Sequence, residues 1–186
     1  MRYTDVSDQL DEVLVTEEQL LARLEELARE VERDYAGTEV LLVGVLKGAV
    51  MVMADFSRAL RDSVQMDWMA VSSYGNGTQS TGVVRILKDL DTDINGRHVL
   101  LVEDIIDTGL TLSWLRENLM SRGALSVKIL AALRKPDAVV ADIVPDYLGF
   151  DIPNKFVVGY GLDYAERFRH LRDVAVLSPH VYAKGE

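Results

Sequence analysis

Val99-Leu-Leu-Val-Glu-Asp-Ile-Ile-Asp-Thr-Gly-Leu-Thr-Leu112 is the stretch whose reading decides the fold. Its opening, Val99 to Val102, is an unbroken apolar run, the pattern of a strand buried on both faces. Glu103 and Asp104 follow, then Asp107. Thr108-Gly-Leu-Thr111 next opens a helix that carries Leu112, Leu115 and Leu119 on one face and stops at Gly123. A small-residue turn at the head of a helix offers backbone N–H groups to a phosphate, assisted by the helix dipole. The threonine hydroxyls add donors. Acids at the end of the strand can hold sugar hydroxyls, Mg²⁺, or both. N-capping uses one acid, and three at this spacing point instead to a sugar-phosphate ligand.

Outward from this stretch, strands and helices alternate. Thr16-Glu-Glu-Gln19 is a capping box, with Leu20, Leu21, Leu24, Leu27 and Val31 as one face of the helix it opens, which runs to about Tyr35. Val40 to Leu46 is a second all-apolar strand, Lys47-Gly48 a turn, and Ala49 to Leu60 a helix. Strands are expected over Gln65 to Ser73, Val83 to Lys88, Val127 to Leu133, Asp146 to Phe150, Lys155 to Val158 and Val174 to Leu177. This alternation predicts an α/β fold, a central mostly parallel sheet flanked by helices, in one domain spanning residues 1–186. Ligands of such sheets bind at the C-terminal ends of the strands. Lys47, Asp104, Asp107 and Lys135 all sit there and are expected to gather along one edge.

Composition narrows the function. The chain has no Cys, so disulfides and Cys-ligated metals are excluded, which is compatible with a cytoplasmic protein. Met1 to Asp8 lacks the apolar segment of a signal peptide, and no run is long enough to span a membrane. A net charge of −10 disfavours non-specific nucleic-acid binding. Phosphate ligands must then meet local basic groups, for which Lys47, Lys135, Lys155, Arg167 and Arg169 are the candidates. Gly75-Asn-Gly77 and Gly159-Tyr-Gly161 lack the third glycine of a dinucleotide fingerprint, and no Walker A, HExxH or GxSxG motif occurs.

The Val99–Leu112 stretch resembles the ribose-5-phosphate motif of type I phosphoribosyltransferases. Four further segments extend the resemblance to the hypoxanthine–guanine branch over about residues 8–180. They are Gly44-Val-Leu-Lys-Gly-Ala49, Ser72-Ser-Tyr-Gly-Asn-Gly-Thr-Gln-Ser-Thr-Gly82, Ala131-Ala-Leu-Arg-Lys135, and Asp151 to Arg169. The family moves 5-phosphoribosyl from PRPP to N9 of a 6-oxopurine and depends on Mg²⁺. The fold implied is a sheet with a small hood and a flexible catalytic loop.

The resemblance also implies roles. Glu103 and Asp104 would hold the ribose hydroxyls, and Asp107 would be the proton acceptor at purine N7. Thr108, Gly109, Leu110 and Thr111 would bind the 5-phosphate. Lys47, Gly48 and Arg169 would bind pyrophosphate, with a cis peptide before Gly48. Lys135, Phe156, Val157 and Asp163 would surround the base, Lys135 donating to O6 and Phe156 stacking. Glu103, Asp104 and Asp163 would serve the metal. Ser73 and Tyr74 would be the closing pair of the catalytic loop. A homodimer or homotetramer is the implied assembly. Leu110 stands where some relatives have Lys, and Ala49 where others have Gly or Ser. The competing readings are a transferase for another base such as xanthine, one that takes hypoxanthine but uses guanine poorly, and a regulator that keeps the fold and binds PRPP or RNA without catalysis.

Overall fold

The apolar run that ends at the Lys47–Gly48 turn forms β2 (Val40–Leu46), which pairs in parallel with a strand on either side. Its residues alternate between two cores. Val40 and Leu42 meet one helical layer, and Leu41, Val43 and Val45 meet the other. The neighbours are β3 (Gln65–Tyr74) and β5 (His98–Ile106). The structure, a computed structural model, describes residues 1–74 and 83–183.

The sheet continues through β6 (Ser126–Arg134) and β7 (Tyr147–Asp151), with β4 (Val83–Lys88) antiparallel at the far edge. The order is β4-β3-β2-β5-β6-β7. From β2 the chain proceeds to β3 on one side. From β5 it proceeds to β6 and β7 on the other. The direction therefore reverses between β2 and β5, and a crevice opens beyond their C-terminal ends. The fold thus puts the Lys47–Gly48 turn beside Asp104.

Helices α1 (Glu17–Asp34) and α2 (Val50–Ala59) cover one face, and α3 (Leu110–Ser121) covers the other. The Thr16 capping box forms as expected, with Thr16 accepting from Gln19 N and the Gln19 side chain accepting from Thr16 N. Leu20, Leu24, Leu27 and Val31 are buried, and Ala28 joins them. Leu21 does not. It is 38% exposed, because it lies next to the stripe rather than on it. The core is dense along β5, where Val99 to Val102 are all fully buried, each side chain contributing about 1.5–3 kcal/mol.

A second, antiparallel sheet, β1-β9-β8, forms the hood. Its strands are β1 (Leu10–Val15), β8 (Val157–Val158) and β9 (Val174–Leu177). The sequence reading missed β1, whose Asp11 and Glu12 break the apolar alternation. It also missed α4 (Pro179–Tyr182). Strand β8 is shorter than expected, and Lys155 lies outside it. No helix among the described residues is long and apolar enough to cross a membrane.

Candidate active site

A cleft of about 800 Å³ opens where the sheet edge meets the hood. Gly48, Asp104, Asp107, Lys135, Phe156 and Arg169 line it, with Val157 and Asp163. A second, smaller hollow of about 120 Å³ lies beside it, bounded by Glu103 and Thr108, Gly109 and Thr111. The expected residues therefore gather, with informative differences.

The acids belong to β5 itself, which runs on to Ile106 instead of ending at Val102. Strand alternation then separates Glu103 from Asp104. Asp104 faces the cleft and Glu103 the smaller hollow. Neither has a salt bridge among the described residues. Burial, then the neighbouring Asp104 charge, pushes the Glu103 carboxyl well up. Burial likewise pushes Asp104 up to about 6, opposed by the Ile105 amide that donates to it at 2.8 Å and by the Arg169 charge.

Asp67 provides the contrast. It is also buried, at 4% exposure, yet it accepts from the amides of Trp68, Asp91 and Thr92 at 2.7, 3.0 and 2.8 Å. Burial alone would raise its carboxyl, but these bonds hold it below its ordinary value. A satisfied acid such as Asp67 supports the fold. Glu103, with no hydrogen bond to its carboxylate among the described residues, and Asp104, held only by the neighbouring Ile105 amide, suit a sugar diol or a hard cation supplied from outside.

Helix α3 begins at this hollow. Gly109, in the left-handed conformation with φ +78°, is its N-cap, and neither a side-chain cap nor a first-turn acid occupies the helix start. The first intrahelical bond comes from Ser113 N to Gly109 O at 2.9 Å. Leu110 N reaches only the Thr108 hydroxyl, at 3.5 Å. The α1 start, by comparison, carries both a capping box and Glu17 and Glu18. The α3 amides are thus left for an external anion.

Asp107 follows β5, and Lys135 follows β6. The two strands run side by side, so the residues after them meet: Lys135 Nζ is 3.2 Å from Asp107 Oδ2. Lys135 is buried at 8% exposure, while the Asp107 side chain is 54% exposed to the cleft. Phe156 is not a core residue. It is 44% exposed, and its ring rests on Tyr182 (5.4 Å, tilted) and Tyr164 (5.9 Å, edge-on). Those two tyrosines, on the turn after the hood strand β8 and on α4, were invisible to sequence pattern. Ile105 and Leu162 add apolar lining.

Three basic residues are placed differently from expectation. Lys47 points out of the cleft, its side chain 66% exposed and bonded to Glu166 at 3.0 Å. Arg167 is exposed and lines a neighbouring hollow with Met51 and His170. Lys155 lines the cleft but pairs with Glu12 across the hood. Arg169 stays in the cleft, bonded to Asp163 Oδ1 and to the Gly161 carbonyl, both at 2.8 Å. The cis peptide also differs: it is Leu46–Lys47, one residue earlier than the bond before Gly48. Ser73 and Tyr74 end β3, paired with Val84 and Val83. The remainder of the expected catalytic loop, residues 75–82, lies outside the described residues.

Two glycines lock the turn to the hood. A Cβ on Gly161, where φ is +102°, would sit 1.9 Å from the Gly48 carbonyl oxygen. Gly161→Ala therefore forces backbone apart. It should cost about 2–4 kcal/mol and lower the midpoint of thermal unfolding by roughly 5–10 °C. An unchanged midpoint would refute the contact.

The carboxylate chemistry fits a metal in one respect. Among the described residues no three His, Asp or Glu side chains converge into a ready-made metal site. Asp104 and Asp163 nonetheless share the cleft and repel one another electrostatically. Mg²⁺ needs only one or two carboxylates when substrate phosphates and water complete its shell.

Comparison with known proteins agrees with this geometry. Residues 12–165 match the phosphoribosyl transferase domain family. The hypoxanthine-guanine phosphoribosyltransferase of Mycobacterium tuberculosis is 55% identical over 176 residues, covering 91% of this chain and 87% of its own. That of Bacillus subtilis is 50% identical over 173 residues, covering 93% and 96%. Among solved structures, a hypoxanthine phosphoribosyltransferase from Staphylococcus aureus superposes with a TM-score of 0.92 at 44% identity, covering 96% of this chain and 97% of that one.

Proposed function

This chain belongs to the phosphoribosyl transferase family, and from that membership and its site we propose that it is a purine-salvage enzyme. It transfers 5-phosphoribosyl from PRPP to N9 of hypoxanthine or guanine, forming IMP or GMP and releasing pyrophosphate. The observation that carries the choice of base is the Lys135–Asp107 pair, 3.2 Å apart in the cleft that Phe156 also lines. A 6-oxopurine presents O6 and N7 side by side on one edge, about 3 Å apart. Lys135 donates to O6, and Asp107 accepts the proton of N7. Adenine offers a donor where Lys135 also donates, and is rejected.

The remaining residues divide by the hollow they line. The α3 amides with Thr108 and Thr111 hold the 5-phosphate, and Glu103 and Asp104 hold the ribose hydroxyls from either side. Phe156, backed by its two tyrosines, stacks on the base. The Val157 backbone meets the base edge. When bound, Mg²⁺ neutralises charge on the departing pyrophosphate; Asp104 and Asp163 would hold it. As the bond from C1 to pyrophosphate breaks, the ribosyl centre takes on oxocarbenium character. N9 then bonds to C1, and the N7 proton passes to Asp107. Arg169 and Lys47 receive the pyrophosphate. Ser73 and Tyr74, the closing pair of the segment that resembles the family's catalytic loop, help exclude water from the ribosyl centre. Self-association as a homodimer or homotetramer is part of this reading.

The test is pyrophosphate release from PRPP and Mg²⁺ with hypoxanthine, guanine, xanthine, adenine and uracil supplied separately. Release is expected with hypoxanthine and guanine and not with adenine or uracil. Release with adenine would remove the role of Lys135. Release with xanthine alone would move the specificity, and release with none would remove the transferase reading.

A further inference from the structure

Lys47 and Arg169 come from segments far apart in sequence, one from the turn after β2 and the other from the segment that leads back into the hood. Both reach the same atom. Glu166 Oε2 lies 3.0 Å from Lys47 Nζ and 3.3 Å from Arg169 Nη2. One carboxylate thus joins two cations that the proposed reaction needs for pyrophosphate. The joint is held in place from below. Glu166 N donates to Asp163 Oδ2 at 2.9 Å, and Tyr164 and Arg167 close the turn with mutual backbone bonds of 3.1 and 2.9 Å. The turn sets Ala165 and Glu166 at φ +50° and +62°, which aims the Glu166 side chain back across it.

The contact is weak by position. The side chains of Lys47 and Glu166 are 66% and 64% exposed, so solvent screens their attraction. Arg169 is different. Its bonds to Asp163 and Gly161 anchor it whether or not Glu166 is engaged. A diphosphate arriving between the two cations carries more charge than one carboxylate and can displace it. When the diphosphate departs, Glu166 is tethered within reach and takes its place.

We propose that Glu166 is a built-in competitor for pyrophosphate: its carboxylate occupies Lys47 and Arg169 between turnovers and reclaims them as the product leaves. The proposal rests on the transferase reading given above. It makes Glu166 a determinant of pyrophosphate affinity and release, with no part in bond making or breaking.

The test is direct binding of inorganic pyrophosphate, with Mg²⁺, to the full chain and to Glu166→Gln by titration calorimetry. Binding of IMP is measured in parallel, because its 5-phosphate would sit in the separate hollow at α3. The Gln variant keeps the size and backbone demands of Glu and removes only the charge. Its dissociation constant for pyrophosphate should fall about three- to tenfold, as expected for releasing two exposed ion pairs. The constant for IMP should stay within about twofold. Pyrophosphate binding that is unchanged or weaker in the variant overturns the proposal, since Glu166 would then be neutral or would be holding Lys47 in its binding position. Equal tightening of both ligands also overturns it, as that marks a general charge effect. Wild-type protein that binds neither ligand overturns the transferase reading itself.

Discussion

Replacing Asp107 with Asn should lower turnover by about 10²- to 10⁴-fold, the usual contribution of a positioned proton acceptor. The affinity for PRPP should change by no more than severalfold. The asymmetry follows from where the side chain lies. Asp107 lines the cleft beside Lys135 and also borders the hollow, but the donors offered to a phosphate there are the α3 amides and the two threonines, not its carboxylate. Asn keeps the volume and an acceptor oxygen for Lys135, so the pair at 3.2 Å has a partner in the variant too. What Asn lacks is the capacity to take the N7 proton. Stability should hardly change, because the Asp107 side chain is 54% exposed and exposed pairs contribute about 0–1 kcal/mol. Steady-state turnover, together with PRPP binding measured in the absence of base, separates the two effects. Similar losses in both would sink the base role.

Replacing Asp104 with Asn should do two opposite things. Catalytic efficiency should fall about 10- to 100-fold, the effect of losing a charged hydrogen-bond partner. The ligand-free protein should become more stable at neutral pH. Burial pushes the Asp104 carboxyl from its ordinary value of 3.8 to about 6. An acid raised by folding favours the folded state most below its unfolded pKa, where it is protonated in both states. That advantage is lost as pH rises through the folded value. Between about pH 4 and pH 6 the wild-type protein therefore loses stability that the Asn variant keeps.

Above pH 6 the variant should lead by on the order of 1–3 kcal/mol. Near pH 4 the lead should vanish. Neutralising Asp104 also relieves Glu103, which its charge pushes upward, so the second acid adds to the effect with the same sign. Thermal unfolding at pH 4 and pH 7.5 gives the difference directly. A variant that is less stable at pH 7.5 would show that the Ile105 amide and the Arg169 charge outweigh the cost of burying Asp104. Such a gain in stability on loss of function is what a site built for an absent ligand produces.

The elements read from sequence and those missed differ in where their information lies. Val40–Leu46 and Val99–Val102 were legible because a strand buried on both faces must be apolar at every position. The α1 start was legible because its capping box is local, confined to Thr16 and Gln19. Strand β1 was not, because its residues Leu10 to Val15 acquire their pattern only by pairing with β9, on the far side of the chain. The limits of β5 were misread because acids normally end a buried strand. Here they extend it, into a crevice that leaves both carboxylates without a salt bridge among the described residues.

By itself, then, the sequence determined the order of the central-sheet strands and of helices α1 to α3, the apolar runs that form the sheet, and the acid-rich strand–turn–helix that names the chemistry. Each of these rests on interactions between residues close in the chain, or on a burial pattern that repeats along it. Tertiary structure alone decided the rest. It set the crevice between β2 and β5, divided Glu103 from Asp104, and brought Asp107 to Lys135. It also placed Tyr164 and Tyr182 behind Phe156, and tied Lys47 and Arg169 to one Glu166 oxygen. These are contacts between segments distant in sequence, fixed by strand order and pleat, and no local pattern in the chain encodes a distance of 3 Å between side chains on separate strands.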